Sequence, residues 1–97
     1  MFEIDWTDTA QQNYASLKAN ASKKKQYKAV KKAIKLLAKN PRHPSLQTHE
    51  FTSIKGPNRE KVFEAYAEQD TPGAHRILWY YGPSRGKITI IVIMAHK

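Results

Sequence analysis

Val62-Phe63-Glu64-Ala65-Tyr66-Ala67-Glu68, then Asp70-Thr71-Pro72-Gly73, then Ala74-His75-Arg76-Ile77-Leu78-Trp79-Tyr80-Tyr81 decide how this chain folds. Residues 62–68 alternate in character and read as a strand. Asp-Thr-Pro-Gly is a strong turn signal, and residues 74–81, dense in aromatic and aliphatic side chains, read as the next strand. Gly82-Pro83-Ser84-Arg85-Gly86 is a second turn. Residues 87–95, rich in Ile, Thr and Val, then form a third strand. Being apolar on both faces, this last strand is expected to lie centrally and to be covered on both sides. Short turns between successive strands make an antiparallel meander.

Working upstream, residues 51–54 read as a brief extended piece ahead of the turn Lys55-Gly56-Pro57-Asn58-Arg59, and residues 41–50 as a loop rich in Pro, His and Ser. Before the loop, Tyr27, Val30, Ile34 and Leu37 recur at helical spacing, with Lys24, Lys28, Lys31, Lys35 and Lys39 on a different face; Asn40-Pro41 ends this helix. An earlier helix, from about residue 8 to 20, is marked by Ala10, Tyr14, Leu17 and Ala21, with Thr7, Asp8 or Thr9 as its cap. Ser22 is expected to cap the second helix. Phe2-Glu3-Ile4-Asp5-Trp6 alternates apolar and acidic residues, the mark of a short half-buried strand. The expected fold is α+β in the order β-α-α-β-β-β. An N-terminal strand and a helical hairpin pack on a mostly antiparallel four-stranded sheet, and residues 1–97 form one domain.

Composition narrows the function. The chain of 97 residues contains no cysteine, so disulfides and thiolate metal sites are excluded, and it offers little room for a lidded enzyme cleft. No metal or cofactor is expected; His43, His49 and His75 show no ordered metal-ligand spacing. Residues 88–95 are the longest apolar stretch, far short of the ~20 residues that a spanning helix needs. The start, MFEIDW, has no signal-peptide pattern, so the expected compartment is the cytoplasm and no membrane partner is expected. The net charge is +9, from 17 basic and 8 acidic residues, and no acidic residue occurs between Asp8 and Glu50. A field of one sign attracts polyanions, nucleic-acid backbones above all.

Several residues stand out as candidates for chemistry. The lysine stripe reads either as a phosphate- or partner-contacting face or as a solvated surface; ordinary solvated helices more often carry i, i+4 ion pairs. Arg76, flanked by apolar residues in mid-strand, needs an anion or a carboxylate. Either Glu64 or Glu68 on the neighbouring strand satisfies it, or it presents its fork of donors to a phosphate. Tyr66 shares a face with Glu64 and serves either packing or base stacking, and Glu64 is a candidate base. His96 directly follows the last strand and is either a plain tail residue or an acid or base near neutrality. Lys61, Arg59, His75 and Lys97 are further candidates for contacting RNA.

The order of elements, together with Asn40-Pro41-Arg42-His43-Pro44-Ser45-Leu46, residues 62–66, residues 75–80 and the closing residues 90–96, resembles the RelE/ParE toxin superfamily of type II toxin–antitoxin systems. The resemblance implies a metal-independent, ribosome-dependent mRNA endonuclease, in which the ribose 2′-hydroxyl attacks the adjacent phosphate. It matches Arg76 to the strand arginine at the scissile phosphate and His96 to the C-terminal acid or base of the YoeB-like and HigB-like branches. It further implies an acidic, partly disordered antitoxin, with Lys24, Lys28, Lys31 and Lys35 seating either the antitoxin or the ribosome, and a free protein that is a monomer or a dimer. The chain departs from the pattern where Glu64 and Tyr66 replace two lysines of the RelE branch, and where His43-Pro44-Ser45-Leu46 lacks the YoeB-like glutamate. Two alternatives stay open: a ParE-like gyrase poison, and a catalytically inactive binding module on the same fold.

Overall fold

The computed structural model describes residues 1–69 and 73–95. His96, Lys97 and most of the turn expected at residues 70–73 lie outside the described residues. The chain runs β1 (Glu3–Trp6), α1 (Asp8–Ala19), a 3-10 turn (Ala21–Lys23), α2 (Lys24–Lys39), a second 3-10 turn (Pro44–Leu46), β2 (His49–Lys55), β3 (Lys61–Tyr66), β4 (His75–Tyr81) and β5 (Lys87–Ala95). The sheet order is β1-β5-β4-β3-β2. β1 pairs parallel to β5, and the other pairs are antiparallel. The α+β class, the helical hairpin and the meander are as expected. The sheet, however, has five strands among the described residues rather than four, because residues 49–55 pair with β3 as a full edge strand.

Both helices cover one face of the sheet. Ala10 and Leu17 of α1, and Val30, Ala33 and Leu37 of α2, are buried against Phe63, Ala65, Ile77, Trp79, Ile88, Ile90 and Ile93. Trp79 is fully buried at the centre of this core, stacked on Phe63 with ring centroids 5.0 Å apart and edge-on to Tyr81 at 4.8 Å. Among the described residues, the apolar cluster on the opposite face is small: Val62, Leu78 and Tyr80, fringed by the part-buried Phe51, Ile91 and Val92. The expectation that β5 is covered on both sides is therefore corrected. β5 is an interior strand, but among the described residues no helix lies over its second face, and its apolar side chains there pack sideways along the sheet.

The joint between α1 and β5 shows how local chemistry fixes this layering. β1 ends at Trp6, opposite Ile90, so the backbone groups of β5 beyond that point lose their strand partner. Such groups must be satisfied elsewhere when they leave water. The start of α1 supplies the partners. The Thr7 amide donates to the Ile90 carbonyl at 3.1 Å, the Thr7 hydroxyl donates to the Ile91 carbonyl at 2.6 Å, and the Asn13 side-chain oxygen accepts from the Ile93 amide at 3.0 Å. Ile91 is the extra residue of a β-bulge, since Leu78 pairs with Val92 and Trp79 with Ile90. Thr7 Oγ1 also accepts from the Ala10 amide at 3.0 Å and so caps α1. Thr7→Ala is expected to cost about 1–2 kcal/mol, read as a lower urea midpoint, whereas Thr7→Ser keeps the hydroxyl and should lose little.

The second helix starts differently from the expectation. Asn20, not Ser22, supplies the capping oxygen, which accepts from the Ser22 amide at 3.0 Å and opens the 3-10 turn. α2 then begins at Lys24 with no side-chain cap. Trp6, Tyr14 and Tyr27 form an aromatic ladder across the hairpin, with centroid spacings of 5.1 and 5.2 Å. Burial, and then the hydrogen bond to Tyr27, push the Tyr14 phenol above its ordinary range; the same hydrogen bond pulls Tyr27 down. No helix among the described residues is long and apolar enough to cross a membrane.

Candidate active site on the open sheet face

Strand register brings the site together. β3 alternates, so Phe63 and Ala65 enter the core while Val62, Glu64 and Tyr66 face the open side. His49 of β2 is the direct partner of Glu64, and Arg76 of β4 is the direct partner of Tyr66. Arg76 therefore sits diagonal to Glu64, within reach of a long side chain.

The contacts are close. Arg76 Nη1 donates to both carboxylate oxygens of Glu64, at 3.2 and 3.1 Å. His49 Nε2 lies 2.8 Å from Glu64 Oε1, and His49 Nδ1 lies 3.1 Å from the Gln47 carbonyl. The guanidinium carbon of Arg76 sits 4.5 Å over the Tyr66 ring, and His49 meets the same ring edge-on at 5.5 Å. The Glu64 side chain is only 5% exposed, that of Arg76 21% and that of His49 48%. A buried carboxylate thus holds two cationic or ionisable groups at the surface, with an aromatic ring as the wall between them. Both Arg76 contacts run through Nη1, so the rest of its donor fork is not committed to Glu64.

The structure joins Arg76, Glu64 and Tyr66 as one cluster, with Arg76 paired to the Glu64 carboxylate. It separates the other candidates. His75 shares the core face with Ile77 and is buried; its backbone amide and Nδ1 both contact Glu68 Oε1 at 3.3 Å. Its side chain points to the helix side, away from Arg76, so the structure does not bring this candidate into the cluster. Arg59 and Lys61 are exposed at the β2–β3 turn, where Lys61 pairs with Lys55, far along the strand from Tyr66. Arg59 takes a positive φ of 66° in that turn, with its amide donating to the Gly56 carbonyl.

Lys24, Lys28, Lys31 and Lys35 are exposed on the outside of α2, across the helix layer from the Arg76 cluster. Among the described residues none of them forms an ion pair. Among the described residues, no group of three or more His, Asp and Glu is placed to hold a metal ion.

His49 is the site residue that sequence reasoning missed. A signal existed, since His49 and Phe51 alternate like a strand ahead of a turn. The difficulty is register. Lys55 pairs with Lys61, and an unbroken hairpin counted outward from there would set Thr52 opposite Glu64. A register shift between Glu50 and Lys55 brings His49 there instead.

With the architecture and cluster defined, comparison with solved structures shows a shared fold: the chain folds as YoeB/ParE, YafQ and RelE structures do. It is similar to a YoeB/ParE toxin from Agrobacterium tumefaciens at a TM-score of 0.73 and 10% identity, over 99% of this chain and 100% of that one. It is also similar to YafQ from E. coli strain BL21(DE3), at a TM-score of 0.67 and 12% identity over 99% and 94% of the two chains. A third similar structure is the archaeal RelE–RelB complex from Pyrococcus horikoshii OT3, at a TM-score of 0.65 and 10% identity over 97% and 93%. No protein-family model and no curated protein sequence matches the chain.

Proposed function

We propose that the protein is the toxin of a type II toxin–antitoxin pair and cleaves mRNA on the ribosome. The observation that carries this reading is Arg76 on the open sheet face, ringed by Glu64, His49 and Tyr66, in a fold shared with YoeB/ParE, YafQ and RelE structures. RNA carries its own nucleophile in the 2′-hydroxyl, so the protein needs no metal-activated water. It must hold the phosphate, neutralise the charge that builds on it, and move protons. A part-exposed guanidinium backed by an aromatic ring suits the first two tasks. Tyr66 fixes the plane of Arg76 and offers an edge for a neighbouring base. His96 stays part of the proposal as a second proton-transfer group.

The +9 charge supports a polyanionic target and an acidic partner. By analogy with the archaeal RelE–RelB complex, that partner is an antitoxin, which would silence the protein by covering either the open face or the helical hairpin. The lysines of α2 then steer the protein to RNA. Changing Lys24, Lys28, Lys31 and Lys35 together to Gln is expected to flatten the log–log salt dependence of RNA binding by about 0.7–0.9 for each phosphate that is no longer neutralised. Filter binding across a salt series measures it, and an unchanged slope would mean that these lysines touch no phosphate.

The function itself is tested by induced expression in cells. Wild type should arrest growth and cut translated mRNAs. Growth arrest without mRNA cleavage would contradict the nuclease reading and favour a target such as gyrase.

A further inference from the structure

We infer that His49 is the catalytic acid of this site and that Glu64 is its positioning residue; the inference rests on the endonuclease reading above. Burial separates the two roles. A group that hands a proton to substrate must reach it. The Glu64 side chain is 5% exposed, with one oxygen shared between Arg76 and His49 and the other bound to Arg76, so it meets no substrate atom. The His49 side chain is 48% exposed, on the edge strand, beside the guanidinium that would hold the phosphate.

The two ring nitrogens define the proton's place. The Gln47 carbonyl can only accept, so Nδ1 carries a hydrogen toward it at 3.1 Å. Nε2 faces the Glu64 carboxylate at 2.8 Å, which also accepts. The doubly protonated ring donates at both ends, and this is the form that a general acid needs. The titratable and charged groups around it are Glu64 and Tyr66 of β3, with Arg76 of β4 behind Glu64. Tyr66 meets the ring edge-on and limits its tilt.

The step balances as follows. The 2′-oxygen forms a bond to phosphorus as its proton passes to water. The bond from phosphorus to the 5′-oxygen breaks, and the departing oxygen takes the proton from His49 Nε2. The products are a 2′,3′-cyclic phosphate and a 5′-hydroxyl, and the neutral ring regains its proton from solvent. Half exposed, the ring is able to turn Nε2 from the carboxylate to the leaving oxygen, while Glu64 restores its orientation afterwards.

A bridging sulfur isolates this role, because a 5′-thiolate departs without being protonated. Ribosomes are programmed with a short synthetic mRNA carrying either 5′-oxygen or 5′-sulfur at the scissile bond, and cleavage by wild type, His49→Ala and His49→Gln is timed. Both variants should lose about 10²–10⁴-fold on the oxygen substrate and cut the sulfur substrate close to the wild-type rate, which also proves them folded. An unchanged rate on oxygen, or an equal loss on both substrates, overturns the inference. Wild type that cuts neither substrate overturns the endonuclease reading beneath it.

Discussion

Arg76→Ala is expected to lower mRNA cleavage by about 10²–10³-fold, the loss typical of removing one preorganised donor from a developing oxyanion. Arg76→Lys should recover only part of it, since an ammonium supplies a point charge without the planar fork and stacks less well on Tyr66. The same substitution has a structural effect that must be separated from the chemical one. Glu64 is buried, and stripping one partner from a buried ion pair costs about 3–5 kcal/mol when it leaves the charge uncompensated. Here His49 still contacts Glu64 at 2.8 Å and Arg76 is part-exposed, so the stability loss should fall below that range. Combining Arg76→Ala with Glu64→Gln removes the orphaned charge. The double variant should regain stability in urea unfolding and stay inactive. A double variant that cleaves at the wild-type rate would show that Arg76 only anchors the carboxylate.

Trp79→Ala should destabilise the fold by about 3–5 kcal/mol, a large share of the ~5–15 kcal/mol that holds a small domain together. The ring is fully buried and stacked on Phe63, and Phe63 in turn carries the Arg42 guanidinium 5.2 Å over its outer side. Losing the indole would leave a cavity between the sheet and the helices. Trp79→Phe is the informative comparison. Trp79 Nε1 is buried without a hydrogen-bond partner among the described residues, so the smaller ring gives up volume but no hydrogen bond. Its loss in urea unfolding should be clearly smaller than that of Trp79→Ala. Equal losses would mean that the ring size, not the burial of an aromatic, is what the core requires.

Much of this architecture is legible in the sequence because it follows from periodicity. The stripe of Val30 and Leu37 enters the core with Tyr27 and Ile34 packed beside it, and Thr7 caps α1 as one of the expected residues. Alternation along β4 separates Arg76 from Ile77 and Trp79, and the same alternation sets His75 on the core face. What periodicity does not carry is register and sidedness. The shift inside β2 brings His49 to Glu64, and no residue pattern around Thr52 and Ser53 announces it. Likewise, alternation says that β5 is apolar on two faces, but not that both helices choose the same one. That choice puts the α2 lysines and the Arg76 cluster on opposite sides of the molecule.

The most direct test of the central claim is the identity of the RNA ends made by the purified protein on ribosomes programmed with a defined mRNA. An endonuclease that works through Arg76 should make one cut per occupied site, with a 2′,3′-cyclic phosphate upstream and a 5′-hydroxyl downstream, and Arg76→Ala should make no cut. Intact mRNA, or ends bearing a 5′-phosphate and a 3′-hydroxyl, would contradict it.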